Sequence, residues 1–207
     1  MKNYSKTTVN AYSSKSSRKA IIYREAAGLF REKGYRASTL REIAKRSGVQ
    51  GGSIYYHFRS KQDILYQIMD FTMNALIKNL KKEIKGEKDP LEEFRKAMRF
   101  HIEYHINHLN ETRASDEEIR SLNKENYDSI IARRHNYADI FIQILKKGVQ
   151  NGVMNIDNLK LTSMAVLQMC TGVSYWFRHD GPLNASDVAN KYADIICWGI
   201  AKKAKHF

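Results

Sequence analysis

Residues 34–61 read GYRASTLREIAKRSGVQGGSIYYHFRSK, and the spacing of apolar and small residues in this stretch decides the fold of the first third of the chain. Leu40, Ile43 and Ala44 recur at helical intervals behind Ser38, a residue suited to cap a helix, and Gly48 supplies a stop. Val49 to Phe58 follows as a second short segment, with Ile54, Tyr55, Tyr56 and Phe58 as its bulky residues. Two short helices joined at a glycine, with a hydrophobic helix on either side, make the layout of a helix-turn-helix. In that layout the second helix lies in the major groove of DNA.

The flanks are helical too. Ile21, Ile22, Ala26, Leu29 and Phe30 recur at three- and four-residue steps before Gly34. Ser60 is placed to cap a long fourth helix with Ile64, Leu65, Ile68, Met69, Met73, Leu76 and Leu80 on its inner side. Lys-Gly-Glu-Lys-Asp-Pro at 85–90 marks a break, after which Leu91, Phe94, Met98, His101, Ile102, His105 and Leu109 resume the helical period. A polar stretch at 110–118 reads as a separator before a helix with Ile119, Leu122, Tyr127, Ile130 and Ile131. Another helix is expected from Tyr137 to Val149. Two last helices, about 158–178 and 186–204, are divided by Asp180-Gly181-Pro182. No stretch alternates with period two, so the expected fold is all-α with about nine helices. The expected division is an arm at 1–17, polar and basic and read as flexible, a helix-turn-helix domain at 18–63 and a second helical domain at 64–207.

Composition narrows the function. Hydrophobic residues are 43% and charged residues 28% of the 207, a globular balance, and two prolines leave long helices unbroken. Cys170 and Cys197 are too few for a disulfide framework. With no leader-like apolar run and no membrane-length segment, the reading is a cytoplasmic protein with no membrane partner. The net charge of +13 is unevenly placed: residues 1–65 hold 14 Lys and Arg against Glu25, Glu32, Glu42 and Asp63. A basic segment joined to a nearly neutral one points to a polyanion for the first part, a merely solubilising surface being the alternative. No phosphate-binding glycine motif, nucleophile elbow or zinc-protease spacing is present, which disfavours an enzyme and a cofactor. The long, nearly neutral second part disfavours a DNA-packaging protein.

Gly34 to Val49 followed by Gly52 to Lys61 resembles the DNA-binding signature of the TetR family of bacterial transcriptional regulators, over about 30 residues in the right order. That resemblance implies a dimer on a palindromic double-stranded DNA operator, acting as a repressor released by a small-molecule effector. Gln50, Gly51, Gly52 and Ser53 occupy the start of the recognition helix, where small residues let the backbone come close to the duplex. Gln50 carries an amide able to pair with adenine, although the family often has a small hydroxylic residue there. By resemblance Tyr55, Tyr56 and His57 supply phosphate and thymine-methyl contacts, and Thr39 and Lys61 clamp the DNA backbone. Packing is the competing use of Tyr55, and Lys15, Arg18 and Lys19 are either a minor-groove arm or a solvated tail.

The same resemblance makes the last two helices a dimer interface and the second domain a ligand pocket. Ala165, Cys170, Gly172 and Val173, with Val188, Tyr192, Ile195, Ile196, Gly199 and Ile200, are the expected packed faces. His101, His105 and His108 share a helical face by spacing, which leaves metal binding, pocket polarity and simple packing open. A metal is disfavoured, since no thiolate or carboxylate partner is fixed. Tyr175 to Leu183 resembles a segment of the acyl-CoA-sensing branch of the family. On that likeness Phe94, Met98, Phe141 and Met164 are expected to line an apolar pocket, with Leu167 and Met169 beside them. His101 and His105 add polarity, Trp176 a stacking face, and Arg134 and Arg178 phosphate pairing. A different drug-like or aromatic effector is the alternative.

Overall fold

A computed structural model describes residues 18–49 and 51–200, with the backbone alone at Gly51 and Ser53. The arm at 1–17, Gln50 and the end of the last expected helix lie outside the described residues. The described residues form α1 (Arg18–Ala37), α2 (Leu40–Arg46), α3 (Gly51–His57), α4 (Lys61–Glu83), α5 (Pro90–Asn107), α6 (Leu109–Glu117), α7 (Lys124–Gln150), α8 (Leu159–Thr171), α9 (Val173–Trp176) and α10 (Ala185–Ile200). One 3₁₀ turn, Ile119–Ser121, stands between α6 and α7, and none of the described residues forms a β-strand. The one-turn α9 continues α8 across Gly172, itself right-handed helical at φ −56° and ψ −22°. Counted as one interrupted helix, the pair brings the described total to nine, the number that the apolar periods imply.

Two compact units are present. The first takes the chain up to Ala75 together with His108–Arg133, and the second takes Leu76–Asn107 and the chain from Arg134 onward. Beyond the 18–63 segment, the first unit therefore includes α6, the 3₁₀ turn and the start of α7.

Three local expectations are corrected. Thr39, not Ser38, caps α2: its Oγ1 accepts from Glu42 N at 3.2 Å, and the Thr39 N–H donates to Glu42 Oε2 at 2.9 Å. Ser38 Oγ instead donates to the Gly34 carbonyl at 2.7 Å. The polar stretch 110–118 is not a separator but α6, whose buried side is Glu111, Thr112, Ala114 and Ser115. Such a face carries no apolar period. Thr112 and Ser115 satisfy their hydroxyls on the His108 and Glu111 carbonyls, at 2.9 and 2.6 Å. Finally, the two helices expected over 119–149 are one, α7. The Ala132–Asn136 stretch lacks bulky apolar residues but contains no breaker, so the helix runs through it.

The first unit packs Ile22, Ala26 and Phe30 of α1 against Ile43 of α2, Ile54 of α3, Phe58, and Ile64, Leu65, Ile68 and Met69 of α4. Ala114, Leu122 and Ile130 close the same core. Each large side chain so enclosed contributes roughly 1.5–3 kcal/mol, enough in sum to fix two seven-residue helices that would not persist alone. In the second unit α5 packs against α8, α9 and α10. Pro90 opens α5 at the position where its missing N–H costs nothing, and Asp89 Oδ1 accepts the Leu91 N–H at 2.9 Å. The expected dimer face is redistributed: Cys170, Val173, Val188 and Ile196 are buried within the chain.

Candidate nucleic-acid interface and buried polar core

Between α2 and α3 the backbone reverses sharply. Gly48 sits at φ 65°, the left-handed region that side chains resist. Around it the Val49 N–H donates to the Ala44 carbonyl at 3.1 Å and the Gly48 N–H to that of Lys45 at 3.3 Å, a Schellman closure of α2. α3 then buries Ile54, followed by the buried Phe58, while Tyr55 and Tyr56 point outward, 63% and 87% exposed. His57, half-buried, meets the Tyr56 ring edge-on at 5.2 Å. Tyr55 is therefore not a packing residue in this chain. Together with Phe58, Arg59, Asp63 and Gln67, these three side chains line a cavity of about 370 Å³.

Gly52 is exposed, and a Cβ built on it would meet nothing within 4 Å. The chain's own packing does not require glycine there. Lys19, Arg36, Arg41, Lys45 and Arg59 are exposed on the same unit. Other basic residues are engaged by carboxylates: Arg46 grips Glu32 with two bonds at 2.5 and 2.9 Å, and Lys33 donates to Glu42 at 2.5 Å. The Lys33 contact, helped by Thr39, pulls the Glu42 carboxyl down to about 2.

Thr39 and Lys61 both have partners inside the chain. Thr39 is held in the capping box. Lys61 Nζ donates to the carbonyls of Ser38, Tyr35 and Arg36 at 2.6, 2.7 and 3.3 Å. Burial lowers its pKa, and the Glu118 carboxylate opposes that effect.

In the second unit Phe94, Met98, His101, His105 and Phe141 come together in the interior, all at 5% exposure or less. His101 stacks on His105 at 4.1 Å between ring centroids and meets Phe141 edge-on at 6.2 Å. Its Nδ1 lies 3.0 Å from Tyr137 Oη and its Nε2 3.0 Å from Thr171 Oγ1, while His105 Nδ1 lies 2.9 Å from the His101 carbonyl. Burial, reinforced by His105, holds the His101 pKa well below its ordinary 6.5 and keeps the ring neutral. Burial likewise drives the Tyr137 pKa well above 10. Tyr137 and Thr171 escape the sequence reading as site residues; the signal for Tyr137 was its four-residue step to Phe141.

The remaining expected pocket residues are elsewhere. Met164 and Trp176 are about half exposed, with Trp176 stacked on Tyr192 at 6.2 Å between centroids. Arg178 is a surface residue paired with Asp180 through bonds at 3.0 and 2.9 Å. Leu167 and Arg134 are half-buried and Met169 is about half exposed. The histidine triplet does not share one helix, because α5 stops at Asn107 and His108 is the N-cap of α6. Among the described residues, no group of three or more His, Cys, Asp and Glu could hold a metal ion. None of their helices is long and apolar enough to cross a membrane.

The family described as bacterial regulatory proteins, tetR family, matches residues 22–68, and the tetracyclin repressor-like C-terminal domain matches residues 87–200. The HTH-type transcriptional repressor KstR2 of Mycobacterium tuberculosis is 28% identical over 192 residues, covering 91% of this chain and 95% of that protein. The fatty acid metabolism regulator protein of Bacillus subtilis is 26% identical over 180 residues, covering 86% and 93%. The crystal structure of the TetR family transcriptional regulator PfmR from Thermus thermophilus superposes with a TM-score of 0.80 at 35% identity, covering 86% of this chain and 97% of that one.

Proposed function

The chain belongs to the TetR family of bacterial regulatory proteins, and from that premise we propose that it is an operator-binding repressor released by an acyl-CoA effector. The observation that carries the DNA-binding half is the outward row of Tyr55 and Tyr56 beside a glycine that its own chain does not need. Gly52 leaves open space where a duplex backbone approaches, and the tyrosine hydroxyls reach phosphate. Gln50 reads a base edge, Gly51, Ser53 and His57 complete the contact surface, and the exposed lysines and arginines of the unit supply the counter-charge. Thr39 and Lys61 act on DNA through the turn they hold rather than by direct contact with phosphate.

The functional species is a homodimer. Leu161, Met164 and Met169 on α8 and Ile195 and Trp198 on α10 are 47–81% exposed, an apolar surface of a kind that a lone chain seldom keeps in water. Two recognition helices related by a two-fold axis then read two half-sites.

The effector's apolar tail occupies the interior around Phe94, Met98 and Phe141, where methionine adapts to chain length and the neutral His101 ring, bonded to Tyr137 and Thr171, adds polarity. The likeness to a fatty acid metabolism regulator supports an acyl group. Arg178 and Trp176, being at the surface, bear on the charged headgroup only from outside this core. Fluorescence anisotropy on labelled operator tests the reading: butyryl-, octanoyl- or palmitoyl-CoA releases the DNA at micromolar concentration, while octanoic acid does not. Retention of DNA with all three thioesters contradicts the acyl-CoA assignment.

A further inference from the structure

The backbone leaves its helix at Gly34, where φ is 82° and ψ is 156°, a conformation open to glycine and strained for other residues. The next N–H, that of Tyr35, is taken by a side chain 83 residues away: it donates to Glu118 Oε1 at 2.8 Å. Glu118 is the last residue before the 3₁₀ turn and is itself held. Its N–H donates to the Ala114 carbonyl at 3.1 Å, and its other carboxylate oxygen accepts from Ser121 Oγ at 2.7 Å. On the far side of Tyr35, Lys61 Nζ donates to the Tyr35 carbonyl at 2.7 Å. One peptide residue is thus gripped by an anion at its N–H and by a cation at its C=O, both charge-assisted contacts. Gln62 closes the circuit: its amide donates to the Ser121 carbonyl at 2.8 Å, and its Oε1 accepts the Asn123 N–H at 3.2 Å. All of these groups lie in the first unit.

We propose that Glu118 is a positioning residue for DNA binding, its carboxylate fixing the Gly34–Ser38 turn from which α2 and α3 depart. The assignment rests on the DNA-binding reading above. Thr39, the cap of α2, follows this turn directly, so a displacement at Tyr35 passes into α2 and through the Schellman closure into α3. The core side chains of α2 and α3 hold those helices onto α1 and α4, but an apolar contact has no direction. A hydrogen bond to a fixed carboxylate does, which is why a polar latch is suited to set an angle. Because the latch arises from the α6–α7 connection, whatever shifts that connection shifts the turn.

The test uses full-length protein and the duplex that the wild type selects from a random pool. Glu118→Ala, which removes the acceptor, lowers affinity at least tenfold. Glu118→Gln, which keeps an acceptor oxygen for the Tyr35 N–H, stays within about threefold of wild type. Ser121→Ala, which only frees the carboxylate to turn, falls between them and keeps the test open if Glu118→Ala does not fold. The salt dependence of log K keeps its slope in all three, because no phosphate contact is removed. Amide exchange at Tyr35 accelerates in Glu118→Ala relative to the amides of Ala26 and Ala27. Wild-type affinity in Glu118→Ala, or equal loss in the Gln and Ala variants, overturns the assignment. Wild-type protein that selects no duplex instead removes the DNA-binding reading and the assignment with it.

Discussion

The Lys61 ammonium stands 4.3 Å from the centroid of the Tyr35 ring and donates to the carbonyl of the same residue at 2.7 Å. A side chain at the start of α4 is thereby spent on the α1–α2 turn. Replacing Lys61 with Met keeps the apolar stem and removes the three donors, leaving half-buried carbonyls without them. The variant should lose about 1.5–3 kcal/mol of stability, the range for charge-assisted hydrogen bonds. Thermal unfolding reads the loss. The salt dependence of DNA affinity separates this from a direct phosphate clamp, whose removal would reduce the slope by about 0.9. The slope should not change.

Gly52 offers an unusual sign. A helical glycine with open space around it gains roughly 0.5–1 kcal/mol on replacement by alanine. Gly52→Ala should therefore raise the melting temperature while weakening operator binding, because the methyl group enters the space needed by the duplex. Tyr56→Ala, by contrast, should leave stability within about 0.5 kcal/mol and weaken binding to all sequences alike. A Gly52→Ala protein that binds operator as well as wild type would show that no close approach occurs there.

How legible was all this in the sequence? The helix-turn-helix is readable because its signals are local: the Gly48 stop and the spacing of Ile43, Ala44, Ile54 and Phe58. Ser38 and Thr39 can both cap a helix, and only the Glu42 partner decides for Thr39. α6 was invisible because its buried face is made of Glu111, Thr112 and Ser115, whose burial depends on tertiary contacts and internal hydrogen bonding. Phe94, Met98, His101 and His105 follow from the apolar stripe of α5, whereas Phe141 comes only with the family likeness. Arg178 and Trp176 rest on that likeness as well, and the chain turns them to the surface. Glu118 carried no sequence signal at all, because its partner is a backbone N–H 83 residues distant.

Adjacent residues on α10 separate assembly from folding. Ile195 is 66% exposed and Ile196 only 7%. Ile195→Glu should yield a folded monomer by sedimentation, with operator affinity lost as the half-sites are uncoupled. Ile196→Glu should damage the fold itself, since an unpaired charge in that core costs several kcal/mol. An Ile195→Glu protein that remains dimeric at micromolar concentration would move the interface elsewhere.

The buried imidazole of His101 makes stability depend on pH. Its folded pKa is depressed, so below the unfolded value of about 6.5 the unfolded chain binds more protons than the folded one. Stability is then full above that value and falls as pH drops, by up to about 1.4 kcal/mol per pH unit for one such group. Half-buried Glu103 and buried Glu111, with pKa values raised by burial, act in the opposite sense, so the comparison must be with a variant. Between pH 7 and 5 the melting temperature of His101→Gln should fall less than that of the wild type. Parallel pH profiles would mean that His101 is not held neutral.

The central claim is that this chain reads DNA as a symmetric pair, and sequencing the duplexes it retains from a random pool at near-physiological salt tests that most directly. The retained duplexes should share two half-sites related by a two-fold axis, one or more helical turns apart. Gln50→Ala should retain the same site with preference relaxed at one position in each half, by roughly 1–3 kcal/mol if the contact is bidentate. A pool that emerges unenriched, or a retained site with no internal symmetry, would contradict the account.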